Sequence, residues 1–188
     1  MDNDQVLLDC ALTLFSQRGY DAVSVQAVVE AAGVTKPTLY HYFSSKRGLL
    51  DALIKRETGL LLGRVFQAAD YNGDLVLTLE RVVRAYFKLA QEKGSFYRMQ
   101  LASYFSPPEC ESNQAMRPFI EEQKEILENL FIQAGQSHGN LRGKHRRLAV
   151  SLLGEVNALI GLYLNNELDL DEALAYQTVH QFMYGIFS

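Results

Sequence analysis

Among the side chains of residues 36–46, those of Lys36, Thr38, Tyr40, His41 and Lys46 are of types that can bind a polyanion. Ammonium groups neutralise phosphates, and hydroxyl, phenol and imidazole groups can donate to base edges or backbone oxygens of a nucleic acid. Lys36 and Lys46 each lie at the expected start of a helix, where the helix dipole disfavours a cation unless an anion docks there. They could also be ordinary solvated cations. Their joint placement favours a DNA phosphate.

Two short helices joined by one tight turn are expected to position these side chains. Ser24 is a suitable N-cap for the first helix, and Gly33 is suited to the left-handed residue that ends it. Thr35 is the expected N-cap of the second helix, with Pro37 in its first turn and Leu39 on its inward side. A helix this short is stable only by packing, and its outer side fits a major groove.

The segment Ala32–Lys46, AGVTKPTLYHYFSSK, resembles the helix-turn-helix signature of TetR-family transcriptional regulators. The resemblance implies an all-α fold of about nine helices. Residues 1–47 would form a three-helix DNA-binding domain, a fourth helix (45–69) would link the domains, and residues 48–188 would form a larger helical domain for effector binding and dimerisation. It implies that Thr38, Tyr40 and His41 reach base edges or groove walls and that Ser24, Lys36, Tyr42 and Lys46 contact phosphates. Thr35 and Leu39 complete the predicted DNA-contacting set.

Charge is distributed unevenly along the chain, whose net charge is −4 over 188 residues. Residues 36–56 carry five Lys or Arg against one acid, whereas residues 1–35 carry one Arg against five acids. The positive field is therefore local, as binding through counterion release requires. Gly48, in the first turn of the fourth helix, is expected to weaken that helix.

The remaining chain predicts further amphipathic helices. We expect one helix over 75–92, a restart at Ser95, a stop at Ser106–Glu109, a long helix from about Ala115 to Gln136, and helices over 142–165 and after Asp169–Glu172. Starting the long helix near Ala115 would place Pro118 in its first turn, where a missing N–H costs little.

Aromatic and methionine side chains of the C-terminal part could line a cavity or form plain core. The resemblance favours a cavity for a small-molecule effector, and the candidate lining residues are Phe66, Tyr86, Phe87, Tyr104, Phe105, Met116 and Phe119. The sequence does not identify the effector.

Small residues recur along the helix predicted over 142–165, and more apolar surface surrounds them than one small domain needs. A two-fold dimer through a four-helix bundle would bury this surface and present two reading helices to a palindromic site. In a monomer the chain's own helices would have to cover it. The predicted interface residues are Ser151, Gly154, Ala158, Gly161, Tyr176, Val179 and Met183.

Other classes of function find little support. His41, His138, His145 and His180 form no i, i+4 ligand pair, so no metal or cofactor is expected. Sparse cysteines and an acidic N-terminus without a signal peptide predict a cytoplasmic protein without a membrane span. The sequence therefore predicts a homodimeric DNA-binding repressor released from its operator by an effector. The alternatives are an all-helical binding protein or enzyme that uses the aromatic cavity, and an interaction adaptor that has lost DNA binding.

Overall fold

The computed structural model describes residues 3–185, and its described part is all-α, as the sequence predicts. It contains nine α-helices and a short 3₁₀ turn at Gly139–Leu141. The helices are α1 (Asn3–Arg18), α2 (Val25–Ala32), α3 (Lys36–Phe43), α4 (Lys46–Ala68), α5 (Leu75–Glu92), α6 (Gly94–Tyr104), α7 (Glu111–Ser137), α8 (His145–Leu164) and α9 (Glu172–Tyr184).

Local capping chemistry sets the ends of α2 and α3. The Ser24 hydroxyl accepts from the Ala27 N–H at 3.1 Å, and Thr35 caps α3 by accepting from Thr38 N–H. Gly33 adopts φ 66° and ψ 28°, and the Val34 N–H returns to the Val29 carbonyl at 3.0 Å. These contacts satisfy backbone groups that a helix end leaves free, so the tight turn between α2 and α3 follows from the residues themselves.

Gly48 has a steric reason to be glycine. A Cβ on this residue would lie 2.0 Å from the Phe43 carbonyl oxygen. The Ser45 hydroxyl accepts from the Gly48 N–H at 2.9 Å, so the turn into α4 is capped at this same close approach. The glycine that the sequence suggests as a weak helix start is therefore what allows α3 and α4 to meet so tightly.

By residue contacts the described chain divides into two compact units. The first contains the chain up to Gly59 together with Ser95–Phe119, and the second contains Leu60–Gly94 and Ile120 onward. Within the first unit, α1, α2 and α3 pack on one another. The predicted boundary between a DNA-binding domain at 1–47 and an effector domain at 48–188 concerns function, and it stays a prediction.

The start predicted for α7 near Ala115 was wrong. The helix begins at Glu111, so Pro118 lies inside it rather than in its first turn. Proline there leaves the Gln114 carbonyl without its usual helical donor. Pro118 and Gln114 are both exposed, so water can satisfy that carbonyl and the helix continues.

In the second unit α5 packs against α8 and α9. Helix α8 begins at His145, later than predicted, because the chain turns at Gly143 with φ 72°. At 20 residues α8 is long and apolar enough to cross a membrane by length and composition alone. Ala149, Leu152 and Val156 on its inward side are fully buried, as in the core helix of a bundle.

Candidate nucleic-acid interface

Helix α3 exposes polar and aromatic side chains on one side. Lys36 and His41 are exposed, Tyr40 is 46% exposed and Tyr42 is 42% exposed. The His41 and Tyr42 rings meet edge to face, with centroids 5.2 Å apart. Eight residues give a helix of about 12 Å, short enough for a major groove about 12 Å wide.

Leu39 points away from this surface and requires a correction. It is fully buried, so it lies in the core that holds α3 in place and cannot reach a base pair. Its position on α3 gives the physical reason, since it faces α1 and α2 while its neighbours Tyr40 and His41 face outward.

Thr35 and Thr38 are already engaged at the start of α3. Their hydroxyl oxygens lie 2.9 Å apart, while Thr35 also caps the helix. Thr35 is exposed and Thr38 is half-buried. Thr38 therefore has a polar partner within the protein that a base contact would share or replace.

Ser24 and Lys46 are found at the starts of two further helices. Ser24 is exposed, and its hydroxyl is occupied as the cap of α2. Lys46 is the first residue of α4, and its Nζ lies 4.0 Å from the centroid of the Tyr20 ring. Partial burial lowers the pKa of Lys46, although nearby Asp21 and Glu111 oppose that effect. Its neighbour Arg47 pairs with Asp51 at 2.9 Å.

Sequence reasoning missed the partners of Lys46. Tyr20 is only 4% exposed, and its hydroxyl donates to Oε2 of Glu111 at 2.6 Å. Glu111 is 91 residues away in the chain, so no local pattern could pair it with Tyr20.

The exposed groups of α3 and of the neighbouring helix starts are of types that can bind phosphates and base edges. Three helix starts carry free N–H groups, and two of them add a lysine where the helix dipole favours anions. Among residues 3–185 no cluster of His, Cys, Asp or Glu could hold a metal ion.

The predicted effector-lining residues fall into different environments. In the first unit Met116 and Phe119 are buried, Tyr104 is half-buried and Phe105 is 76% exposed. In the second unit Tyr86 and Phe87 are buried. Phe66, which is 68% exposed, borders a groove of about 500 Å³ together with Ile126, Leu130, Asn129 and Gln133.

Three fully buried side chains have polar atoms without a hydrogen-bond partner among the described residues. They are the hydroxyl of Tyr86 and both side-chain amide atoms of Gln100 and of Gln123. Burial also raises the pKa of the Tyr86 phenol. Sequence reasoning missed the two glutamines, although each interrupts an otherwise apolar helical stripe. Leaving such groups unpaired costs free energy, so each marks a place where a further partner would be stabilising.

The small residues predicted for a dimer lie at the surface of the second unit. Ser151, Gly154 and Ala158 are exposed and Gly161 is half-exposed, and a Cβ on either glycine would meet no atom within 4 Å. Tyr176 is 53% exposed and Met183 is half-buried. Val179 is the exception, because its own chain buries it completely and it packs in the core beneath that surface.

Comparison with known proteins agrees with this geometry. Residues 7–53 match the family model for bacterial regulatory proteins of the tetR family. The chain is 27% identical over 180 residues to the HTH-type transcriptional activator FasR of Mycolicibacterium smegmatis, covering 95% of this chain and 80% of FasR. It is 36% identical over 77 residues to the HTH-type transcriptional repressor KstR2 of Rhodococcus jostii, covering 41% of this chain and 38% of KstR2.

The fold also matches a solved structure. The transcriptional regulator FadR of Bacillus subtilis, crystallised in complex with stearoyl-CoA, superposes with a TM-score of 0.80 at 22% identity, covering 97% of this chain and 98% of FadR. This similarity concerns the fold. The matched residues 7–53, which include the exposed face of α3, make the helix-turn-helix segment of this chain similar to that of bacterial regulatory proteins of the tetR family.

Proposed function

We propose that this chain is a homodimeric, sequence-specific transcriptional regulator of the cytoplasm, most simply a repressor that a small-molecule effector releases from a palindromic operator. The observation that carries the proposal is the exposed polar face of α3, flanked by the helix starts at Ser24 and Lys46. In this proposal the protein acts by binding and not by catalysis, and the names of its relatives, an activator and repressors of transcription, support that role.

On DNA, α3 would lie in the major groove. Tyr40 and His41 would reach base edges or the groove wall, because they are exposed on the outward side. Lys36, Lys46, Tyr42 and the capped start of α2 would contact phosphates and so fix the register of the helix. Thr38 would read a base by exchanging its contact with Thr35.

The surface of α8 supports the dimer. Its small residues allow close approach of a second helix, and exposed Val150, Leu162, Tyr176 and Tyr184 add apolar area to the same unit. Large exposed apolar patches mark interfaces, and a two-fold dimer would bring two α3 helices to successive half-sites.

An acyl thioester is the effector class that we propose. Among the described residues the buried cation is Lys124, and its Nζ donates to Glu121 at 2.7 Å. A free carboxylate would therefore lack a buried countercharge, whereas the uncharged carboxamide of Gln123, in the same unit, suits a thioester carbonyl or an amide. The stearoyl-CoA complex of FadR, a protein of the same fold, supports this choice.

DNA binding is tested by fluorescence anisotropy with a duplex from immediately upstream of the gene and a shuffled control, at two salt concentrations. We expect a selective complex of two chains per site that weakens steeply with salt. Equal and weak binding to both duplexes at low salt would contradict the proposed function for this DNA, and a panel of genomic fragments would then decide whether another site is bound.

The effector class is tested by adding palmitoyl-CoA, palmitate or free CoA to the protein–DNA complex. We expect release by palmitoyl-CoA alone. Gln123→Leu should weaken that release and raise the Tm of the ligand-free protein, since it removes an unpaired buried amide. Gln136→Leu, at an exposed position of the same helix, is the matched control. Release by palmitate at equal concentration would contradict the thioester proposal.

A further inference from the structure

Tyr20 connects the start of α4 to the start of α7 within the first unit. It lies in the turn after α1 and is almost completely buried. The Tyr20 and Phe15 rings meet edge to face with centroids 5.1 Å apart, and the Lys46 Nζ lies 4.0 Å from the centroid of the Tyr20 ring. An ammonium group at this distance is attracted by the negative face of the ring.

The opposite end of Tyr20 is held by Glu111, the first residue of α7. The phenol donates to the carboxylate at 2.6 Å, and burial together with this hydrogen bond raises the pKa of Tyr20. Glu111 lies in the first turn of α7, where the helix dipole favours a carboxylate. A charged acceptor strengthens the hydrogen bond and fixes the ring more firmly.

The start of α7 is itself fixed. The side-chain amide of buried Asn113 donates to the carbonyls of Tyr104 at 2.9 Å and Ser106 at 3.0 Å. These bonds tie the first turn of α7 to the end of α6. Glu111 is therefore presented to Tyr20 by an ordered turn and not by a free chain end.

Packing alone does not hold the Tyr20 ring on every side. A cavity of about 260 Å³ borders it and is also lined by Met99, Ser106 and Ser112. With open space on that side, the position of the ring depends on Phe15, on Lys46 and on the hydrogen bond to Glu111.

We propose that Tyr20 and Glu111 are positioning residues for the phosphate contact of Lys46, so that the start of α7 sets part of the affinity for DNA. The inference rests on the proposed function. A lysine side chain has several rotatable bonds, and at a helix start the dipole pushes its charge away. The ring holds the ammonium group at the start of α4, where its remaining N–H groups can meet a phosphate. A shift of α7 away from Tyr20 would loosen that arrangement.

The sign of the effect at Glu111 distinguishes this proposal from simple electrostatics. Removing an acid near a DNA-binding surface should strengthen binding, because it removes repulsion of the phosphates. The proposal expects the opposite for Glu111→Ala, a loss of about twofold. Glu109→Ala, at a neighbouring exposed acid, is the matched control and should leave affinity equal or slightly tighter.

The experiment is a mutant cycle in the full-length chain, read by anisotropy with a random-sequence duplex at low salt. A phosphate contact does not need the operator, so this probe reports Lys46 directly. Lys46→Ala should lower affinity and reduce the salt slope by about 0.9. Tyr20→Leu should lower affinity about two- to fivefold in the wild-type background and have no further effect in the Lys46→Ala background.

Tyr20→Phe keeps the ring and covers the case in which Tyr20→Leu fails to fold. It should reproduce the twofold loss of Glu111→Ala, and the two changes together should cost no more than either alone. Equal losses in the wild-type and Lys46→Ala backgrounds would show that Tyr20 only packs, and would overturn the inference. An unchanged affinity of Lys46→Ala would overturn it too, while leaving the regulator intact. A wild-type chain that binds no duplex would overturn the proposed function and the inference together.

Discussion

Replacing Leu39 by alanine should destabilise the protein, because this side chain holds α3 on α1 and α2. Leu39 is fully buried, and α3 has only eight residues, too few to be stable without packing. Truncating a buried leucine to alanine costs about 2.7–5 kcal/mol, the sum of the lost transfer free energy and the cavity left behind. For a chain of this size, each kcal/mol lowers the Tm by about 2–4 °C. The expected loss is therefore about 5–20 °C.

The assay is thermal denaturation followed by circular dichroism, together with DNA binding measured well below the Tm. Lys36→Ala is the matched control, because Lys36 is exposed on the same helix. It should leave the Tm within about 1 °C and weaken DNA binding, since it removes a charge and no packing. If Leu39→Ala left the Tm unchanged while it abolished DNA binding, Leu39 would be a DNA contact and the argument from its burial would be refuted.

Three further predictions concern α8 and α3. Gly154→Leu should dissociate the proposed dimer in analytical ultracentrifugation without unfolding the chain. The same change at Gly63, an exposed helical glycine with equally open space around it, should leave the dimer intact. If both variants were dimers, the proposed interface would be contradicted. Burial raises the pKa of Glu155, so the folded state binds a proton at this carboxyl more tightly than the unfolded chain does. Stability therefore falls as the pH rises from the pKa of Glu155 in the unfolded chain to its raised pKa in the folded state. Glu155→Gln should flatten that fall in thermal denaturation and raise the Tm at pH 7, and an unchanged pH profile would contradict a raised pKa of Glu155. Thr38→Ala should relax sequence preference in competition assays more than it weakens binding to random DNA, and equal losses on both DNAs would argue against base contact.

The ends of the short helices were predictable from the sequence because capping is local chemistry. Ser24, Gly33 and Thr35 lie within a few residues of the backbone groups that they satisfy, and the structure has each in its predicted role. The order of helices and the outward side of α3 follow in the same way from spacing along one helix.

Other features were predicted wrongly or could not be predicted from the sequence, since they depend on the tertiary structure. Pro118 was expected in a first turn and lies inside α7. Leu39 and Val179, predicted to lie on binding surfaces, are core residues. Helices α1 and α2 cover Leu39, and the helices of the second unit cover Val179. The apolar stripes around Gln100 and Gln123 are a local sign of burial, but the lack of hydrogen-bond partners is visible only in the structure.

The sequence alone determined the helix-turn-helix, because a pattern of fixed spacing along two short helices is local and has a specific chemistry. It also located the positive charge that suits DNA. Only the tertiary structure decided which of the predicted residues can reach a partner, since burial depends on what packs against each side chain. The tertiary structure alone joined Lys46 to Tyr20 and Tyr20 to Glu111. Tyr20 and Glu111 are 91 residues apart, and a contact over such a separation is made by folding and leaves no periodic pattern in the sequence.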